Sequence, residues 1–161
     1  IGYGGIAFLI GWGTVAPIDF HALWRTTPYA LCVGAAFVNT TLPDLKGDGA
    51  YGDRTTGVLL GVQRSCQLSL ILLAGAILSA WLFKDVIALL TSLFCLPFFV
   101  YMNFRPRRSI IILATRLGIL TLSLITCILI PYYFILFIGT LFFVRWYYAV
   151  RFGIKYPGRE A

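Results

Sequence analysis

Uncharged stretches at residues 1–18, 26–43, 65–83, 86–104 and 117–144 alternate with short polar breaks along the chain. One crossing of a bilayer takes about 20 predominantly apolar residues. Each of the first four stretches therefore predicts one membrane helix, and the fifth is longer than a single crossing needs. The first segment, Gly2 to Pro17, carries Gly2, Gly4, Gly5, Gly11 and Gly13, which permit a neighbouring helix to approach closely. The second runs from about Thr27 to Leu42 and ends or kinks at Pro43, which has no N–H and restricts the residue before it. The third covers 65–83 and turns at Lys84-Asp85. The fourth returns to Phe104-Arg-Pro-Arg-Arg108.

Two readings fit the remaining apolar stretch. In one, helices over 109–130 and 132–150 are broken at Pro131, with Arg116 facing protein or snorkelling. In the other, 109–116 lies at the interface and one kinked helix spans 117–144. The first is preferred, because the second sets Arg145, Arg151, Lys155 and Arg159 against the charge rule for membrane topology. The expected fold is an all-α polytopic transmembrane helical bundle with about six membrane segments.

Composition excludes a soluble domain. Hydrophobic residues make up 60% and charged residues 12%, against roughly 45–50% and about 25% in soluble domains. The net charge of +7 is not a nucleic-acid signature, because the cations collect at alternate breaks. Lys46, Arg54 and Arg64 form one cluster, Arg105, Arg107 and Arg108 a second, and Arg145, Arg151, Lys155 and Arg159 a third. The intervening turns carry little more than Arg25 and Lys84. This positive-inside pattern predicts an integral membrane protein, in the plasma membrane if the cell is prokaryotic, with the break after Leu42 facing the cytoplasm. The expected macromolecular surroundings are the lipid bilayer, not nucleic acid. Cys32, Cys66, Cys95 and Cys127 occur singly in or beside apolar runs and read as small packing residues, not as metal ligands or a disulfide framework.

The candidate chemistry lies in that first cytoplasmic break. Asn39 to Gly61 holds three of the six acidic residues, Asp44, Asp48 and Asp53. Carboxylates at the end of an apolar helix need compensation, which a divalent cation and a phosphorylated ligand would provide. Asp44 and Asp48 are four apart, so on a helical turn they share one face and both can reach one ion. Mg²⁺ takes one or two protein carboxylates and completes its octahedron with water and phosphate oxygens. Arg54 and Lys46 add candidate hydrogen bonds to the same phosphate, and Gly47, Gly49 and Gly52 allow turns that aim backbone N–H groups at a ligand. An ordinary polar loop accounts for the spacing equally well.

Leu42-Pro-Asp-Leu-Lys-Gly-Asp48, followed by Gly52-Asp-Arg-Thr-Thr-Gly-Val-Leu-Leu-Gly61, resembles the second aspartate motif of the UbiA superfamily of intramembrane prenyltransferases. That motif reads Asp-x-x-x-Asp-x-x-x-Asp, followed by a tail like Gly-Lys-Arg-Thr-Leu-Ala-Val-Arg-Leu-Gly. Gly2-Tyr-Gly-Gly5 is similar to a Gly-x-Gly-Glu segment of some members. The resemblance implies that Asp44 and Asp48 are the catalytic carboxylates and bind Mg²⁺ bridged to a prenyl diphosphate. Asn39, Lys46, Tyr51 and Arg54 are the candidate substrate-binding residues, and the resemblance implies a membrane-soluble acceptor as second substrate. The sequence departs from the pattern at Thr40, where the first Asp of the triplet is usual, at Gly49 and Asp53, where basic residues are common, and at Gly5, which lacks the Glu.

The family typically has nine membrane helices and an upstream Asn-Asp-x-x-Asp motif that these residues do not contain. The chain opens on Ile1 in what reads as mid-helix, without a cleavable signal. Residues 1–161 are therefore expected to be the C-terminal portion of a single prenyltransferase domain. Two rivals remain. One is a non-catalytic transporter or membrane subunit. The other is a CDP-alcohol phosphotransferase, although no Ala-Arg follows Asp48-Gly49 at the spacing that family uses. His21, the only histidine, falls in a turn predicted to lie opposite the aspartates and is given no catalytic role. Most aromatic residues, Trp146, Tyr147 and Tyr148 among them, read as interfacial or lipid-facing.

Overall fold

The computed structural model describes residues 2–153, the side chain of Lys46 excepted. Lys155 and Arg159 of the third basic cluster lie outside the described residues. The helices in chain order are α1 (Gly2–Gly13), α2 (Phe20–Arg25), α3 (Thr27–Thr40), α4 (Leu45–Tyr51), α5 (Thr56–Leu82), α6 (Val86–Phe104), α7 (Arg108–Leu129) and α8 (Pro131–Phe152). No strand occurs among the described residues.

Four of these helices, α5 to α8, are long and apolar enough to cross a membrane. The first two expected crossings take a shorter form. α1 has 12 residues and α3 has 14, which at about 1.5 Å per residue is well under the roughly 30 Å of a hydrocarbon core. α3 stops at Thr40, before Pro43, as the missing N–H there requires. α5 begins at Thr56 instead of 65, because Thr55 caps it, accepting from the Val58 N–H at 3.5 Å. The ambiguous C-terminal stretch forms two helices. They part at Ile130 (φ −128°, ψ 83°), which the following proline holds in extended backbone.

The chain divides into two compact units, Ile1–Leu122 and Ser123–Ala161. In the first, α3 packs against α1 and α5, and α5 against α6. The core joins Ala35 and Leu42 to Cys66, Leu73, Cys95, Phe99, Met102, Ile111 and Ala114. Small residues such as Ala76, Ala80 and Ala88 are buried, as suits helices that associate by close contact in lipid. Gly4 shows the closest approach: a Cβ built there would lie 2.5 Å from the Tyr29 carbonyl oxygen. Cys66 and Cys95 are buried packing residues and all four thiols are free.

Side-chain hydrogen bonds fix how the helix ends are arranged. Tyr29, near the start of α3, donates to Asp85 at the start of α6 at 3.1 Å, and Cys32 Sγ lies 3.1 Å from Ser92 Oγ. Toward the other end, Asn103 Nδ2 donates to the Cys66 carbonyl at 3.0 Å and Gln63 Nε2 donates to the Asn103 carbonyl at 3.1 Å. The segment between α3 and α5 therefore shares one end of this unit with the Arg105–Arg107 turn. His21, which the structure places in the short helix α2 and not in a turn, shares the opposite end with the Lys84 turn.

Lys84 has φ +55° and is the only described residue other than glycine with positive φ. It occupies the left-handed position of a Schellman turn closing α5, in which the Asp85 N–H donates to the Ala80 carbonyl at 2.9 Å and the Lys84 N–H to Trp81 at 3.2 Å. Glycine is usual there, and a side chain at that φ costs about 1–2 kcal/mol.

In the second unit, Cys127 is buried and lines a cleft with Leu124, Ile128, Pro131 and Phe134. α8 has no buried residue, and Phe143, Trp146, Tyr147, Tyr148 and Phe152 form a chain of ring contacts along its last turns.

Candidate functional site

The polar segment between α3 and α5 is short, mostly exposed and closed on both sides by capped helices. Leu42 and Leu45 anchor it: both side chains lie within van der Waals reach of a Cβ placed on Gly57. α4 then makes two turns, ending at Gly52 (φ +81°). Backbone bonds connect the three aspartates in series. The Asp48 N–H donates to the Asp44 carbonyl at 2.9 Å, and the Asp53 N–H donates to the Asp48 carbonyl at 2.9 Å. Asp44 and Asp48 are thus one helical turn apart, which sets their Cβ atoms about 6 Å from each other.

Comparison with the other aspartates that begin helices brings out what is unusual about Asp44. Asp19 accepts from the Ala22 N–H at 2.7 Å, and Asp85 accepts from the Ala88 N–H at 3.0 Å. Both carboxylates cap their helices in the ordinary way. Asp44 holds the same place at the start of α4 but makes no such bond, and its side chain is exposed while that of Asp48 is half-buried. A carboxylate kept off the adjacent backbone is available to an external cation.

Among the described residues no group of three or more His, Cys, Asp or Glu side chains converges as a metal cage. Two carboxylates one turn apart nevertheless fit a Mg²⁺ ion that takes its remaining ligands from water and phosphate. Arg54 and Asp53 are exposed beside the pair, and Tyr51 projects outward with 89% of its surface exposed. The side chain of Lys46 lies outside the described residues.

Asn39 is placed differently from the other candidates. It is completely buried in the last turn of α3, between the core residues Ala35 and Leu42, and neither Oδ1 nor Nδ2 has a hydrogen-bond partner. An amide in that state is an unmet demand for a polar partner.

No family model, no curated protein and no solved structure matches this chain. What the segment can do is thus argued from its own residues and from the motif they resemble.

Two features of this end were missed in the sequence. Gly61 (φ +73°, ψ 170°) breaks α5, and Ser65 Oγ reaches back across the break to the Thr56 carbonyl at 3.4 Å. Gln63 and Asn103 tie α5 to α6. Their signal was present: an amide side chain inside an otherwise apolar helix, where polar groups seek partners on neighbouring helices.

Proposed function

We propose that this chain carries a metal-diphosphate site of a Mg²⁺-dependent intramembrane prenyltransferase, which moves a prenyl group from a polyprenyl diphosphate to an aromatic or other lipid-type acceptor. The observation that carries the reading is the Asp44–Asp48 pair, one turn apart, with the Asp44 carboxylate unused by its own helix. The resemblance of residues 39–61 to the UbiA motif supports the same chemistry.

In this reading Asp44 and Asp48 would hold Mg²⁺, which would supply charge neutralisation for a departing diphosphate. The exposed Arg54 guanidinium donates hydrogen bonds to phosphate oxygens. The allylic carbon–oxygen bond breaks, the diphosphate leaves with the bonding electrons, and the acceptor takes the carbon and gives up its proton to water. Thr40, a hydroxyl in place of the first carboxylate of the family triplet, leaves this motif with two acidic ligands. The family's other aspartate cluster has no counterpart in residues 1–161. A non-catalytic membrane transporter or subunit is the second reading, since a short, mostly exposed polar loop accounts for the same spacing.

The test is Mg²⁺-dependent consumption of prenyl diphosphate by the full-length protein in membranes. Asp44→Asn and Asp48→Asn are each expected to abolish it, and Asp53→Asn to leave most of it. Normal turnover in both of the first two variants overturns the assignment.

A further inference from the structure

The α5–α6 turn lies at the opposite end of the first unit from the aspartates and takes no part in the chemistry proposed above. An open groove of about 470 Å³ runs beside it, lined by Trp81, Leu82, Lys84, Val86 and Leu89. Trp81, Leu82 and Val86 are 65%, 63% and 57% exposed, so the walls are apolar and uncovered. Lys84 supplies the only charge on the rim, and it is the only cation between Arg64 and Arg105. The neighbouring Asp85 is turned toward the helix start, where its Oδ1 accepts both the Ala88 N–H and the Tyr29 hydroxyl, and it does not line the groove.

The backbone at Lys84 also carries information. The Schellman position with φ +55° favours glycine, and a lysine there is strained. The two Schellman hydrogen bonds hold that conformation and fix where the lysine leaves the backbone. Here the ammonium stands at the ends of two helices long enough to cross a membrane, with apolar groove walls next to it. The arrangement complements a molecule with an anionic head and an apolar tail. A tryptophan beside a lysine at a helix end also suits the headgroup level of a bilayer.

We propose that this groove binds an anionic phospholipid, with the phosphate held by Lys84 and an acyl chain lying along Trp81, Leu82, Val86 and Leu89. The site does not depend on the prenyltransferase reading.

The experiment is native mass spectrometry of the full-length protein released from nanodiscs containing equal amounts of phosphatidylglycerol and phosphatidylcholine. The wild-type protein is expected to retain phosphatidylglycerol about fivefold over phosphatidylcholine, the preference one lysine near a membrane surface confers. Lys84→Arg should keep the preference. Lys84→Gly should lower it to what the basic clusters at the other breaks confer, while melting at or above the wild-type temperature, because glycine suits φ +55° and misfolding cannot then explain the loss. Trp81→Ala should weaken retention of both lipids alike. An undiminished preference in Lys84→Gly overturns the proposal. So does a wild type with no preference, or displacement of the lipid by millimolar free glycerol phosphate.

Discussion

Replacing Asn39 with leucine should stabilise the protein, against the usual direction of core substitutions. Asn39 is fully buried with both amide atoms unpartnered, on the face of α3 that contributes Ala35 and Leu42 to the core. Burial of an unpaired amide costs about 1–3 kcal/mol by mutational measurements. Leucine has the same branching and no polar atoms to desolvate, so the variant recovers that cost without opening a cavity, less what its bulkier methyl groups cost in a packed core. In a protein of this size the gain corresponds to a rise in melting temperature on the order of 5 °C. The assay is thermal unfolding of the purified protein in detergent, wild type against Asn39→Leu, with and without Mg²⁺ and a prenyl diphosphate analogue. If the amide serves the ligand, the variant melts higher alone but gains less from the analogue, which is the trade expected where function retains an unfavourable group. A melting temperature several degrees below wild type without ligand, in both Asn39→Leu and the smaller Asn39→Val, refutes the reasoning, because it means the amide is already satisfied in the folded protein.

Other outcomes follow from the same contacts. Gly4→Val should destabilise α1 against α3 by about 1–3 kcal/mol, read as a lower melting temperature, since its Cβ would sit 2.5 Å from the Tyr29 carbonyl oxygen. Single cysteines at positions 49 and 106 on a Cys-free background should react with an impermeant thiol reagent from one side of the membrane, and a cysteine at 21 from the other. Reaction of 21 and 49 from the same side contradicts the bundle ends described above. The Thr55→Ala variant should lose about 1 kcal/mol, the usual effect of removing an N-cap, measured by denaturant unfolding.

Much of the helix layout was legible because the chain marks its own breaks. Pro43 and Pro131 end helices by rules that hold in any surroundings, and α3 and α7 stop just before them. Helix starts were harder to read. The charged Arg64 suggested that the third segment begins after it, but Thr55 caps the helix earlier and Arg64 rides on its exposed side. Asp44 and Asp48 could be paired from their spacing alone, since four residues make one turn. Whether a carboxylate is spent on its own helix depends on local backbone angles: Asp44 has φ −97° and ψ 3°, whereas Asp19 and Asp85 are extended at ψ. The burial of Asn39 and the left-handed turn at Lys84 were likewise invisible, because each depends on how several helices or a turn close in space.

The break at Gly61 solves a problem of length. A straight helix from Thr56 to Leu82 would rise about 40 Å, well beyond the roughly 30 Å of hydrocarbon it has to cross. Bent at Gly61, the portion from 62 to 82 rises about 31 Å, close to the thickness of that layer. The leading turn, 56–60, is folded back and pinned by Ser65 to the Thr56 carbonyl. It can therefore lie in the plane of the headgroups instead of standing out into water. The polar segment just upstream is thereby joined to a helix whose remaining length matches one hydrocarbon layer.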